Sequence, residues 1–478
     1  MSEATHPAPA GLPPFRAIPD LIREHAQARP GRLALRQGAQ RLTWGELDAL
    51  ADRIAAALQR EGVQPRQTVA ICGPNSVAYA ALFLGGLRAG CAVAPLPTGT
   101  TTEQLAGMVR DSEARLFFAD GTVPQLEASV PRIRMDLADG PGSLAAWLAA
   151  AGTRPVPVAI EPDWPFNIIY SSGTTGTPKG IVQPHGMRWA HVARADNYGY
   201  GPESVAMVAT SLCSNTTLVS VFPCLAKGGA LVMTEGRFDP GAYLALAEDA
   251  RATHAMLVPV QYQRLMAAPQ FDRHDLSSFH MKFCTSAPFS AALKADVLAR
   301  WPGGLVEYYG MTEGGGTCIL EAHNFPDKLH TVGKPADGHD IRLIDEDGRE
   351  VPAGALGEVV GRSVSMMTCY HNQPGKTREA EWHDAQGNRF IRTGDVGRFD
   401  EDGFLTLMDR RKDMVISGGF NIYPSDLEAV LRQHAGVADV AVVGVVSEVW
   451  GESPVAFVVP SPEAPPADDL RAWANERL

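Results

Sequence analysis

The sequence predicts an α/β protein with a large N-terminal domain of mainly parallel sheets flanked by helices, followed by a small mobile α+β domain. Three observations favour this fold. Apolar strand patterns alternate with helix patterns over most of the chain, which is typical of parallel sheets. After about Gly333, short strands joined by turns favour an antiparallel region. A charged run at 409–413 then precedes a further set of helices and strands.

The first elements illustrate the alternation. Thr43 and Glu46 form a capping box ahead of apolar residues at helical spacing, which predicts a helix over 43–61. The apolar run at 69–72 predicts a strand, which ends in a Gly-Pro-Asn turn before a helix pattern at 76–89. Further strands are predicted at 116–119 and 255–258, and a further helix at 239–251.

Residues 333–409 are predicted to form a small antiparallel, barrel-like region within the large domain, which we place at 1–409. The apolar run 341–344 is followed by Asp-Glu-Asp-Gly, a hairpin signal. Two further runs predict strands at 358–362 and 404–408.

Residues 410–478 are predicted to form the small C-terminal domain. Its predicted elements are a helix opening at Pro424 and capped by Ser425 or Asp426, strands at 440–446 and 455–459, and a helix from Asp468. The last helix pattern is still running at Leu478, so we expect this domain to be truncated and the chain to be shortened.

The composition excludes several classes of protein. The 478 residues are 45% hydrophobic and 20% charged, which argues against a disordered, collagen-like or coiled-coil chain. A net charge of −12 without a basic stripe argues against a nucleic-acid partner. Seven scattered cysteines without a C-x-x-C motif indicate free thiols and a cytoplasmic location. The uncharged stretches at 69–87 and 204–226 are interrupted by turn or polar residues, so no membrane span is predicted.

The strongest chemical signal is residues 170–180, which read Tyr-Ser-Ser-Gly-Thr-Thr-Gly-Thr-Pro-Lys-Gly between two apolar strand patterns. The glycines let backbone amides approach an anion, and Lys179 adds a mobile positive charge. The segment therefore predicts a polyphosphate-binding loop. It lacks the Walker pattern and is followed by a strand, and a flexible linker would not lie between two apolar strands.

This loop resembles the phosphate loop of the adenylate-forming superfamily, which includes acyl-CoA synthetases, aryl-CoA ligases, luciferase and adenylation domains. Three later segments match that family in the same order. They are Glu-Tyr-Tyr-Gly-Met-Thr-Glu at 307–313, Thr-Gly-Asp at 393–395, and the segment 409–424 that begins Asp-Arg-Arg-Lys-Asp. The resemblance runs from about residue 18 to the end of the chain and is strongest to the acid–CoA ligases.

The resemblance implies a role for each matching residue. Tyr309 would stack on adenine, Asp395 would bind the ribose hydroxyls, and Arg410 would contact ribose or phosphate. Thr312 would touch the α-phosphate, and Glu313 would hold Mg²⁺. The implied catalytic residues are Lys179, Thr312, Glu313 and Arg410. The other implied binding residues for ATP, AMP or coenzyme A are Ser171, Ser172, Gly173, Thr174, Thr175, Gly176, Thr177, Ser286, Ala287, Pro288, Glu307, Tyr308, Gly310, Met311, Gly418 and Gly419, the last two in the thiol tunnel.

The resemblance implies that a carboxylate attacks ATP, releases pyrophosphate and forms an acyl-adenylate, from which a thiol then displaces AMP. The family also places a lysine near its C-terminus, whereas Lys412, at the hinge position, is the last lysine here. Three interpretations remain open: an acid–CoA ligase, an enzyme that loads a carrier-protein thiol, and a non-catalytic adenylate-binding protein lacking that lysine. A homodimer also remains open.

The resemblance places the acyl pocket at 210–217, 284–288 and 314–318, where the side chains are small and uncharged. No acidic residue occurs from 204 to 234, so a substrate ammonium would be buried without a partner. We therefore expect an aryl or medium-chain acyl acid with an uncharged tail. Residues 214–216 either bind a substrate oxygen or satisfy backbone groups, and His185 either lines the site or is structural.

Overall fold

The computed structural model describes residues 12–126, 130–138, 140–171, 178–410, 415–417, 420–422, 424–447 and 450–477. Its α-helices are α1 (Ile18–Ala28), α2 (Trp44–Arg60), α3 (Val77–Arg88), α4 (Thr102–Asp111), α5 (Leu144–Trp147), α6 (His185–Arg194), α7 (Asn215–Ala226), α8 (Pro240–Asp249), α9 (Pro259–Met266), α10 (Ala291–Arg300), α11 (Pro374–Glu379), α12 (Pro424–Leu431) and α13 (Ala467–Asn475). Short 3₁₀ helices lie at Ala195–Tyr198, Phe271–Arg273 and Pro326–Lys328.

The strands are β1 (Leu33–Gln37), β2 (Gln40–Thr43), β3 (Thr68–Cys72), β4 (Ala92–Leu96), β5 (Leu116–Ala119), β6 (Arg132–Arg134), β7 (Pro165–Ser171), β8 (Lys179–Pro184), β9 (Val205–Val208), β10 (Ala230–Met233), β11 (His254–Leu257), β12 (Met281–Cys284), β13 (Gly304–Tyr309), β14 (Cys318–Glu321), β15 (Lys334–Pro335), β16 (Asp340–Ile344), β17 (Gly357–Arg362), β18 (Cys369–Tyr370), β19 (Glu381–His383), β20 (Arg389–Phe399), β21 (Leu405–Arg410), β22 (Val415–Ser417), β23 (Phe420–Ile422), β24 (Val437–Ser447) and β25 (Gly451–Pro460).

Two large sheets form the body of the molecule. One has the strand order β18-β8-β7-β4-β3-β5-β6, and the other β15-β14-β13-β12-β11-β9-β10-β1-β2. The inner strands of the second sheet, from β13 to β1, pair in parallel. The carboxyl ends of β9, β11, β12 and β13 therefore meet at one edge. The predicted large parallel α/β region is confirmed.

Buried helices and aromatic rings join the two sheets. Every residue of α3 is buried, as expected for a helix that is apolar on all sides. Phe83 of α3, Phe166 of β7 and Phe222 of α7 form a cluster with ring centroids 4.9–5.8 Å apart. The two contacts of Phe222 are edge-to-face, a geometry that stabilises a core beyond the area that it buries.

The predicted capping box of α2 is present. The backbone N–H of Thr43 donates to Glu46 Oε2 at 2.7 Å, and the N–H of Glu46 donates to Thr43 Oγ1 at 3.3 Å. These bonds satisfy donors that a helix start leaves open. The Glu46 carboxylate also accepts from the Thr43 hydroxyl, and its two bonds from Thr43 lower the pKa of Glu46.

The antiparallel region is an open sheet in the part of the chain that the structure describes. Its strands run β16-β17-β20-β19, with β21 on β20, and no described pairing closes it into a barrel. The predicted turn after Ile344 is present, where the N–H of Gly348 donates to the carbonyl of Asp345 at 3.1 Å. The barrel-like prediction is therefore corrected to an open antiparallel sheet.

A separate sheet follows residue 410, with the order β23-β22-β25-β24. Leu431, Val440, Val442 and Leu470 form its small core with helices α12 and α13. Helix α12 begins at Pro424, so the predicted caps Ser425 and Asp426 lie in its first turn instead, as the fixed φ of proline favours. The domain boundary between residues 409 and 410 stays a prediction. No described helix combines the length and apolarity needed to cross a membrane.

We predict opposite effects for two helical glycines. A Cβ at Gly85 of α3 would lie 2.5 Å from the Ile54 side chain of α2, so Gly85→Ala should lower the free energy of unfolding by about 1–3 kcal/mol. A Cβ at Gly107 of α4 would meet no atom within 4 Å, so Gly107→Ala should raise it by about 0.5–1 kcal/mol. Urea denaturation measures both, and equal signs would contradict the close packing of α2 on α3.

Candidate active site

The predicted phosphate loop connects two antiparallel strands. Ser171, the last residue of β7, lies opposite Lys179, the first residue of β8, and Tyr170 lies opposite Gly180. This agrees with the predicted strands on both sides of the loop. Six residues of the loop fall outside the described residues, so their roles stay predictions: Ser172, Gly173, Thr174, Thr175, Gly176 and Thr177.

A lysine, a tyrosine and a carboxylate meet beside the end of this loop. The Lys179 ammonium lies 5.0 Å from the ring centroid of Tyr370, which belongs to β18 and pairs next to β8. The Tyr370 hydroxyl donates to Glu313 Oε1 at 2.7 Å. Burial of the hydroxyl, together with the neighbouring carboxylate, raises the pKa of Tyr370. Lys179 and Glu313 were predicted from the sequence, whereas Tyr370 was missed because nothing in its local sequence marks it.

A second pair joins strands that are remote in sequence. The Tyr309 hydroxyl, at the end of β13, donates to Asp395 Oδ2 in β20 at 2.8 Å. Thr393 Oγ1 accepts from the N–H of Asp395 at 3.0 Å, and Gly394 has φ +73°, a conformation that favours glycine. The Thr-Gly-Asp segment is thus a local irregularity that turns Asp395 toward Tyr309. The backbone of Arg410 in β21 lies opposite Asp395.

A buried amide network, which sequence analysis did not identify, holds the segment after β13. Gln183 of β8 donates to the carbonyl of Thr312 at 2.6 Å, and its own Oε1 accepts from Arg188 at 2.6 Å. The Arg188 guanidinium also donates to Asn167 Oδ1 at 3.2 Å and Asn215 Oδ1 at 3.1 Å. Desolvation lowers the pKa of Arg188 to about 9, and its side chain is fully buried.

Asn215 and Thr312 of this network line a cleft of about 870 Å³, including its open mouth, at the carboxyl ends of the parallel strands. The predicted residues Lys179, Tyr309, Glu313 and Asp395 lie outside this lining. Each predicted pocket segment contributes to its lining. The contributing residues are Asn215 and Thr216, Thr285 and Ser286, and Gly314 and Thr317, together with Tyr308, Gly310, Met311 and Thr312 of the motif. Ala287 and Pro288 are exposed and lie outside this lining, so their binding roles stay predictions.

One wall of the cleft was not predicted. It comes from α6, the 3₁₀ helix after it and Tyr200 beyond that helix, and it consists of Met187, His191, Arg194, Ala195, Tyr198 and Tyr200. Arg194 adds a charge to a lining whose predicted segments are uncharged. The spacing of residues 187, 191, 194 and 198 is helical and indicates that they share one face. Nothing in the sequence showed that this face of α6 points toward the cleft.

Two alternatives left open by the sequence, for residues 214–216 and for His185, can now be resolved. Ser214 caps α7, because its hydroxyl accepts from the N–H of Thr216 at 3.3 Å, and Asn215 accepts from Arg188. Only Asn215 and Thr216 of this group line the cleft. His185 is structural, since it is buried, packs on Phe166 at 5.0 Å, and has a pKa lowered to about 3 by burial.

The two residues before Tyr309 face different surroundings. Glu307 is buried in an ion pair with Lys294, whose ammonium also donates to the carbonyls of Leu329 and Thr331. Burial raises the pKa of Glu307 to about 7, against the effect of Lys294. Tyr308 lines the cleft and stacks on Phe283 with centroids 5.6 Å apart. The assignment of Glu307 to the nucleotide site stays a prediction.

Known proteins share this sequence pattern over almost the whole chain. The family model described as AMP-binding enzyme matches residues 22–371, and that described as AMP-binding enzyme C-terminal domain matches 426–478. A feruloyl-CoA synthase of Amycolatopsis is 34% identical over 457 residues, which is 95% of this chain and 91% of the relative. A fatty acid–acyl-carrier-protein ligase of Streptomyces coeruleorubidus is 30% identical, covering 95% of this chain and 89% of the relative.

The fold is similar to that of solved structures in the same group. An o-succinylbenzoate-CoA synthetase of Bacillus subtilis, in complex with its acyl-adenylate intermediate, superposes with a TM-score of 0.83 at 26% identity. The match covers 96% of this chain and 92% of that one.

We predict that Arg188→Met lowers the free energy of unfolding by at least about 2 kcal/mol, because the buried side-chain oxygens of Asn167 and Gln183 lose their donor. Arg194→Met, the same change on the cleft side of the same helix, is the matched control and should cost about 0.5 kcal/mol or less. Urea unfolding measures both. Equal losses would show that the amide network does not depend on Arg188.

Proposed function

This chain belongs to the AMP-binding enzyme family, and on that premise we propose that it is an ATP-dependent acid–CoA ligase for an aryl or medium-chain acyl acid. The observation that carries the proposal is the cleft itself. It runs from the motif residues Gly310 and Thr312 to an interior containing Met256 and Phe283. An acid with its apolar body in this interior would present its carboxylate at the predicted nucleotide site, which is the positioning that adenylation requires.

We assign AMP and ATP to the residues around Tyr309 and Asp395. In this proposal Asp395 accepts hydrogen bonds from the ribose hydroxyls, and the Tyr309 ring packs against adenine. The hydrogen bond between their side chains supports the assignment, since it fixes both groups before the nucleotide arrives. Lys179, Thr312 and Arg410 would contact the phosphates or ribose.

Glu313 suits a magnesium ion in this proposal. Its bond from Tyr370 uses Oε1 and leaves Oε2, an oxygen donor of the kind that Mg²⁺ prefers. The described residues contain no cluster of three or more candidate metal ligands, so substrate phosphate oxygens would complete the coordination. When bound, Mg²⁺ neutralises charge on the phosphates.

The proposed reaction has two balanced halves. A carboxylate oxygen of the acid forms a bond to the α-phosphorus of ATP, and the bond to pyrophosphate breaks. A thiol sulfur then forms a bond to the acyl carbon, AMP leaves with the bonding electrons, and the thiol proton passes to solvent. Lys179 offers positive charge near the first step, a contribution that acts through electrostatic stabilisation.

Coenzyme A is the proposed thiol because the feruloyl-CoA synthase relative is named for it. A carrier-protein thiol is the second candidate, since a relative at 30% identity is named as a fatty acid–acyl-carrier-protein ligase. Gly418 and Gly419, implied for the thiol tunnel, and Lys412 lie outside the described residues. A non-catalytic adenylate-binding protein is the remaining alternative.

We predict that the purified protein with ATP and Mg²⁺ releases pyrophosphate with 3-phenylpropanoate but not with phenylalanine. The two acids differ by one ammonium group, and the described lining of the cleft holds no carboxylate to pair with it. Coenzyme A and a phosphopantetheinylated carrier protein are then compared as acceptors. Absence of pyrophosphate release with any aryl or acyl acid would favour the non-catalytic alternative, and preference for phenylalanine would contradict the proposed substrate class.

We predict that Asp395→Ala weakens ATP binding by about 1.5–3 kcal/mol, because the ribose loses a charged acceptor. Calorimetric titration with a non-hydrolysable ATP analogue measures the change. Glu401→Ala, an exposed acid in the turn between β20 and β21, is the matched control and should leave the affinity unchanged. Unchanged affinity in Asp395→Ala would remove that residue from the ribose site.

A further inference from the structure

Arg194 stands out among the residues that line the cleft. Within the described part of the chain, the lining contains this one arginine and no aspartate or glutamate. No described carboxylate forms an ion pair with it. The charges of Glu321 and Asp337 contribute to the raised pKa of the neighbouring Tyr198, but neither residue lines the cleft. The adenylation chemistry proposed above gives Arg194 no role.

The hydrogen-bond partner of Arg194, the imidazole of His339, cannot satisfy it. Arg194 Nη2 lies 2.9 Å from His339 Nε2, while His339 Nδ1 accepts from the backbone N–H of Thr317 at 2.9 Å. A neutral imidazole has one acceptor nitrogen and one N–H, and both neighbours of His339 are obligate donors. Burial and Arg194 lower the pKa of His339 to about 3, so its ring is neutral. With Nδ1 taken by Thr317, Arg194 Nη2 faces the N–H at His339 Nε2, and no acceptor among the described residues bonds to the guanidinium in its place.

A second donor lies on the same wall. His191 precedes Arg194 by three residues on α6, so the two share one face of the helix. Arg188 Nη1 donates to His191 Nδ1 at 3.4 Å, which leaves the proton of the neutral ring on Nε2. Burial and the neighbouring arginines keep the pKa of His191 far below its ordinary value. This wall therefore offers a guanidinium and an imidazole N–H, backed by the second positive charge of Arg188.

We propose that Arg194, with His191 beside it, binds a second carboxylate of the substrate, at the end remote from the carboxylate that is adenylated. The inference deepens the proposed function and rests on it. A carboxylate supplies the two oxygens that match a guanidinium fork and the negative charge that this wall lacks. A neutral oxygen would supply an acceptor but leave the charge uncompensated in a partly desolvated cleft. The substrate class is then an aryl or alkyl dicarboxylic acid.

The test uses ligands that differ only at the remote end. In the aryl series these are 4-carboxycinnamate, its ring methyl ester and cinnamate; in the alkyl series they are octanedioate, its monomethyl ester and octanoate. Pyrophosphate release gives kcat/KM for each. We expect the wild-type protein to prefer the diacid over its half-ester by at least about tenfold in one series, as expected for a site built to bind the missing group. Equal or better use of both half-esters overturns the proposal.

Variants assign the preference to Arg194. Arg194→Met should lower kcat/KM for the diacid at least tenfold more than for the monoacid, and Arg194→Lys, which keeps the charge without the fork, should fall between. Arg41→Met, an exposed arginine of β2 outside the cleft, should leave all values unchanged. A uniform loss with all acids in Arg194→Met overturns the assignment.

Failure of the proposed function gives a different result. If no acid in either series releases pyrophosphate, the ligase proposal fails, and the carboxylate site is judged by thermal shift of the wild-type protein. A larger rise in Tm with the diacid than with its half-ester supports the site. Equal shifts overturn it.

Discussion

Burial of the Arg188 guanidinium among neutral amide oxygens organises the candidate site. Asn167 on β7, Gln183 on β8 and Asn215 on α7 all accept from it, so one side chain of α6 ties two strands and a second helix together. Gln183 extends the connection to the carbonyl of Thr312. A charge is costly to bury, and the hydrogen bonds from Arg188 to three amide oxygens offset part of that cost.

The two hydrogen-bonded pairs of the proposed nucleotide site include Tyr309 and Glu313, which lie before and after Thr312 in the sequence. Tyr309 at the end of β13 bonds to Asp395, and Glu313 in the segment after β13 bonds to Tyr370. Each bond joins residues that are remote in the sequence. Lys179 approaches the same tyrosine from the end of β8. Strand β8 also contains Gln183, which donates to the carbonyl of Thr312. Lys179 and the residue that holds Thr312 in place therefore lie on the same strand.

Sequence reasoning succeeded where a residue's own neighbours determine its structure. The capping box of α2 and the two strands around the phosphate loop follow from short motifs. The binding roles of Tyr309, Glu313 and Asp395, which the resemblance implies, stay predictions. Tyr370, Gln183 and Arg194 could not be found in this way, because each acquires its role from a partner on another element. Gln183 is a single glutamine in an apolar strand, and its sequence context does not show which groups its side chain bonds to. The periodicity of α6 does not distinguish a face toward the core from a face toward the cleft. The roles of the loop residues stay predictions.

Helix α6 carries two kinds of constraint. The Arg188 side chain is enclosed in the amide network, whereas Arg194, less than two turns later, lines a solvent-open cleft. Selection acting on substrate choice can therefore change the cleft side in single steps, each leaving the scaffold intact. The enclosed side can change only through several coordinated replacements. Related proteins would then differ in the acids that they accept but keep the architecture that aligns the acid with the nucleotide. The ten residues of α6 thus separate substrate choice from support of the scaffold.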